Sequence, residues 1–168
     1  MRWHLLAAVP VIALLNSGPA LPFRHASELH VPTTRYDDST LKRVTITFYT
    51  HNDNKDHDTK LNVSVVTKVS VFLSKDLASG SNLGGDMEFV DPSTHSFDLG
   101  LSAGAKTVTV KDLGLPVVNI DIQPHGHDRW IFDYTVTLDF GAAGTFTSKK
   151  QGAILDQDNK HFSAVFES

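Results

Sequence analysis

One stretch limits the fold more than any other. From Trp130 to Phe140, the residues Trp130, Phe132, Tyr134, Val136, Leu138 and Phe140 occupy every second position, with Asp133, Thr135, Thr137 and Asp139 between them. Successive side chains of a β-strand point to opposite faces, so this pattern makes one dry face and one wet face. A helix would scatter the same apolar residues around its circumference.

The period of two recurs along the chain. Val44, Ile46 and Phe48 alternate with Thr45, Thr47 and Tyr49, and Leu61, Val63 and Val65 alternate with Asn62 and Ser64. β-Branched residues continue to Val71, and Phe97, Leu99 and Leu101 form another set. Val108 and Val110 read as a short strand within Lys106–Val110, and Val118, Ile120 and Ile122 as a longer one. Phe146, Ile154 and Phe162–Phe166 suggest two or three closing strands. Turn residues lie at 79–82, 84–86, 141–144 and 156–159. Outside the first residues no 3.6-residue period is sustained. These features predict an all-β, antiparallel β-sandwich of roughly eight strands.

The chain begins with a different pattern. A short basic start, Met1-Arg2-Trp3-His4, precedes the apolar run Leu5–Leu15 and the small residues Asn16–Ala20. That is the layout of a secretory signal, with cleavage expected after Ala20. The apolar run is too short to span a bilayer, which takes about 20 residues, and no later run is longer. The expected organisation is therefore a signal peptide over 1–20, an extended arm or pro-segment over 21–42, and a β-sandwich domain over 43–168, secreted and with no transmembrane segment in the mature chain. Lys42-Arg43 offers a second possible mature N-terminus by dibasic processing; its plainer reading is two solvated charges at the start of a strand.

Composition narrows the chemistry. The formal charge is −4, or −5 once Arg2 leaves with the signal. No basic block with interleaved aromatics occurs, so nucleic-acid binding has no support. The absence of cysteine removes disulfides, thiol nucleophiles and cysteine-held metals, leaving stability to the packed core or bound ions. Asn62-Val63-Ser64 is a glycosylation sequon on the wet face of its strand.

The densest polar cluster is His51–Asp58. Asn54, Asp56 and Asp58 alternate there, and oxygens so spaced can converge on Ca2+, which accepts six to eight such ligands. An EF-hand is excluded, because Thr59 stands where its glycine belongs and Val65 where its closing glutamate belongs. The expected ligands are Asn52, Asp53, Asp56, Asp58 and Asp128, with Asp91, Asp156 and Asp158 as further oxygen sources. The alternative is a solvated turn, since Asp and Asn bond their own backbone. His125 and His127, with His51 or His57, could instead present imidazoles to zinc or copper. Gly100-Leu101-Ser102-Ala103-Gly104 matches the nucleophile-elbow pattern but lacks the following helix and the surrounding α/β sheet, so a hairpin turn is expected there. Loop carboxylates are plentiful enough to supply a glycosidase pair. Trp130 is in register with the dry face, which favours core packing over surface contact.

Laid out this way, the chain resembles the PLAT/LH2 family of β-sandwich modules, related in shape to C2 domains. The likeness runs from about Val44 to Leu138. It rests on the strand pair around Asp58-Thr59, on Phe97-Asp98-Leu99 and Ile120-Asp121-Ile122, and on His127-Asp128 followed by Trp130. It departs at the first loop, which lacks the family's glycine-containing turn, and in the short spacer between His127-Asp128 and Trp130. The resemblance implies a non-catalytic accessory module that binds calcium and meets lipid surfaces or protein partners. Two other functions suit the sequence: a carbohydrate-binding or small glycan-acting jelly-roll protein, and a secreted interaction protein with no ligand of its own.

Overall fold

The alternating segments do become strands. The structure, a computed structural model, describes residues 38–166. The expected signal peptide and all but the end of the arm lie outside the described residues. The strands are β1 (Arg43–Thr50), β2 (Lys60–Ser70), β3 (Leu73–Gly80), β4 (Ser93–Leu101), β5 (Leu115–Gln123), β6 (Arg129–Asp139), β7 (Thr145–Asp156) and β8 (His161–Val165).

All pairings are antiparallel, in the order β7-β6-β1-β4-β3-β2-β5-β8. The protein is thus all-β, with eight antiparallel strands. The sheet is continuous because β4 serves both halves. Its residues Ser93–Leu99 pair with β1, and Gly100 and Leu101 pair with β3. The two edge strands curl towards each other, and Tyr134 of β6 meets Phe162 of β8 edge-on at 5.6 Å. The result is nearly closed and barrel-like rather than two separate sheets laid face to face.

The core follows the alternation. Val44, Ile46 and Phe48 of β1, Leu61, Val63 and Val65 of β2, and the six even-numbered residues Trp130–Phe140 are buried. Trp130 stacks on Phe132 at 3.9 Å and lies 5.1 Å from Phe48, and its indole N–H donates to Thr50 Oγ1 at 3.0 Å. Both polar groups are buried, and pairing them avoids the cost of an unsatisfied donor.

Three local expectations change. β3 is absent from the sequence reading because an extra residue between the Val65–Ala78 and Val66–Asp76 pairs leaves Leu77 and Ala78 both buried, which breaks the period of two. Lys106–Val110 is not a strand. Ala105–Thr107 is a 3-10 turn, and Thr109 makes one isolated bridge with Thr40. Ser102 starts that turn: its hydroxyl accepts from Ala105 N–H and donates to the Asp76 carbonyl at 2.5 Å. The segment after Leu101 is therefore a cap over one end of the barrel, with Ala105, Val108 and Leu113 buried, rather than a hairpin.

The end of the arm belongs to the folded body. Leu41 is buried and its N–H bonds the Val108 carbonyl, while Lys42 N–H bonds the Asp139 carbonyl. Arg43 lies in β1 and holds Asp98 through Nε at 2.6 Å and Nη2 at 2.9 Å.

Candidate functional site

Antiparallel topology sorts the loops onto two ends. Segments 51–59, 81–92, 124–128 and 157–160 gather at one end, and segments 71–72, 102–114 and 140–144 at the other. The first end collects eight carboxylates (Asp53, Asp56, Asp58, Asp86, Glu88, Asp91, Asp128, Asp158) against two lysines, Lys55 and Lys160. Neighbouring carboxylates repel, so such an end needs internal positive charge or solvent.

Lys55 supplies the charge. It is 0% exposed, and its Nζ donates to the Asp56 and Thr59 carbonyls, each at 2.9 Å. The ammonium lies 4.7 Å from the Phe89 ring centroid, a cation–π distance. Lys55 and Phe89 also bond each other's backbones in both directions, at 3.3 and 3.0 Å, which ties the 51–59 loop to the 81–92 loop. Gly84 lets this happen: it has φ +81°, and a side chain there would meet the Phe89 ring at 2.8 Å. Burial lowers the Lys55 pKa, and Asp128, Asp56, Asp58 and Asp86 oppose that shift.

Of the expected ligands, Asp56, Asp58 and Asp128 lie within electrostatic reach of this lysine, while Asn52 and Asp53 turn to His51 and Arg129. Asp128 is 5% exposed and its Oδ2 accepts from Asp56 N–H at 3.4 Å; burial raises its pKa. The buried Thr59 hydroxyl stands beside that carboxylate and opposes the rise in its pKa. Asp53 faces Arg129 at 3.7 Å, and Asp58 pairs with His125 at 3.0 Å. Asn52, with φ +67°, donates to the His51 ring. Asn54 cross-links the loops, bonding Asp91 N–H and Glu88. Asp156 Oδ1 accepts from the Asp158 and Asn159 amides, the local bonding of an Asx turn. Among the described residues no three His, Asp or Glu side chains are placed to share a metal ion. The Asp56 and Thr59 carbonyls of this loop receive the Lys55 ammonium. Lys55 is the residue the sequence reading passed over; its only signal was a lone cation inside an acidic run.

The opposite end is apolar at one point. Val71 and Phe72 form the two-residue turn between β2 and β3 and are 92% and 98% exposed. Val69 and Leu73 beside them are also exposed. Two-residue hairpin turns favour Asn, Asp or Gly, so turn chemistry does not ask for Val-Phe here, and burial does not explain it. An extra residue in β2 between Lys68 and Ser70 further kinks the ribbon near its tip. Lys68 and Lys75 stand on the ribbon, and Lys106 and Lys111 lie in the adjoining cap, against Asp76 and Asp112.

The sequon lies where strands β2 and β5 pair. Asn62 is half-buried and accepts from Asn82 N–H at 3.0 Å, and Ser64 accepts from Asn119 at 3.3 Å. Compared with protein-family models, curated proteins and solved structures, the chain has no match.

Proposed function

We propose that this is a secreted, non-catalytic binding module that docks on a lipid surface through the β2–β3 tip. The observation that carries the reading is the pair Val71 and Phe72, almost wholly exposed at a turn whose local chemistry calls for other residues. Contiguous exposed apolar groups mark contact surfaces. Sinking such side chains out of water returns about 1.5–3 kcal/mol each. Lysines beside an inserted tip add about 1 kcal/mol each near an anionic leaflet. Lys68, Lys75, Lys106 and Lys111 stand at the tip end, while the acidic loops are at the far end, so a negative surface favours one orientation. The reading requires no calcium, since its contacts are made at the tip and the acidic loops lie at the other end.

Sedimentation of the chain starting after Ala20 with phosphatidylcholine vesicles, and with vesicles also containing phosphatidylserine, tests this. Binding to the anionic vesicles, weakened at least about tenfold by Val71→Ser with Phe72→Ser, supports it. A chain that ignores both vesicle types refutes the lipid reading. Tip-dependent capture of a protein instead would keep the docking surface and change its partner.

A further inference from the structure

A second surface lies on the side of the barrel, away from the tip. Tyr49 of β1, Asp133, Tyr134 and Thr135 of β6, and Lys149, Lys150 and Gln151 of β7 line a groove of about 670 Å³. That volume suits a small ligand.

The groove borders a bulge. Between the Phe132–Ala153 and Tyr134–Lys150 pairs, β7 carries one residue more than β6, and Gly152 adopts φ +62°. Bulges re-aim side chains and recur beside binding sites. Lys150 and Lys149, paired with Tyr134 and Thr135 directly after the bulge, both line this groove. Asp133 holds the bulge in place, its Oδ1 accepting from Gly152 N–H at 2.8 Å and from His51 Nε2 at 2.9 Å. The His51 ring in turn stacks against Tyr49, with centroids 5.9 Å apart and planes 26° from parallel. Tyr49 is 43% exposed, so its ring is both braced from behind and open to the groove.

The chemistry of this lining is specific. A braced aromatic face packs against the C–H face of a pyranose, two ammonium groups pair with an anionic substituent, and the Gln151 amide and Thr135 hydroxyl can exchange hydrogen bonds with ring hydroxyls. Tyr49 thus presents an exposed aromatic ring on an outer sheet face. We propose that the groove defined by Tyr49, Asp133, Lys149, Lys150 and Gln151 binds an acidic saccharide, one carrying carboxylate or sulfate groups. This site is independent of the lipid-docking tip.

Calorimetric titration with digalacturonic acid and with a sulfated heparin disaccharide, and with neutral cellobiose as comparison, tests the proposal. Saturable binding of one acidic disaccharide, at least about tenfold tighter than cellobiose, is expected. Tyr49→Ala and Lys149→Ala with Lys150→Ala should each weaken it about tenfold or more. All three residues are exposed, and the melting curve of each variant reports whether the fold is intact. Absence of binding by both acidic disaccharides overturns the proposal. So does binding that Tyr49→Ala leaves unchanged and that inorganic sulfate displaces equally well, because that behaviour belongs to a bare pair of lysines. The vesicle-binding variant Val71→Ser with Phe72→Ser should bind the saccharide normally, which separates the two surfaces.

Discussion

The ammonium of Lys55 and the ring of Phe89 lie 4.7 Å apart in the interior of the acidic end, where His95 stacks on the same ring at 4.1 Å. One aromatic ring therefore contacts both a buried cation and a half-buried imidazole. The acidic loops 51–59 and 81–92 are tied together at this arrangement through the paired backbones of Lys55 and Phe89.

Lys55→Met should destabilise the protein by about 3–5 kcal/mol, the range for removing one partner from a buried charged arrangement. It leaves the Asp56 and Thr59 carbonyls without their donor and Asp128 without its nearby positive charge. Adding Asp128→Asn should recover part of the loss, since the carboxylate no longer has to be buried as a charge. Urea unfolding followed by fluorescence measures both. The chain has two tryptophans, Trp3 and Trp130, so a protein starting after Ala20 reports through buried Trp130 alone.

Thermal unfolding in calcium and in excess chelator should give superimposable curves. A ligand that binds only the folded state raises the melting midpoint by mass action, so a calcium-dependent rise would show that the acidic end holds an ion despite Lys55.

Stability should fall as pH drops below about 6.5, the ordinary histidine value, through the folded-state pKa of His95. Burial, and then the charge of Lys55, lower that pKa. The unfolded chain therefore binds this proton more readily than the folded one, and acid favours unfolding across that window. His95→Phe should flatten this part of the stability–pH curve. An unchanged slope would place the acid sensitivity elsewhere.

Dibasic processing after Arg43 should fail on the folded protein. Lys42 N–H is bonded to Asp139, Arg43 is paired in β1 and held by Asp98, and Leu41 is buried. A protease needs the chain extended and free in its cleft, so cleavage here requires β1 to leave the sheet. Mass spectrometry after brief exposure to a dibasic-specific protease should find this bond intact, and Leu41→Ala should make it more labile.

Alternation alone determined much of this protein. Wherever apolar residues recur at every second position, as in β1, β2, β5 and β6, the strand and its buried face follow, because a pleated backbone admits only one sorting of those side chains. Tertiary structure decided what local pattern does not encode. Bulges break the period in β3 and β7, so β3 was invisible and Gly152 of β7 turns back to the Asp133 carboxylate. The cap at Ala105–Thr107 winds because Ser102 bonds Asp76, twenty-six positions earlier. Above all, the acidic run His51–Asp58 read either as a solvated turn or as cation ligands, and the fold turned the one lysine inside it inward. That choice depended on Phe89 and Asp128, which are remote in sequence, and on the energy of burying a charge only where carbonyls and an aromatic face receive it.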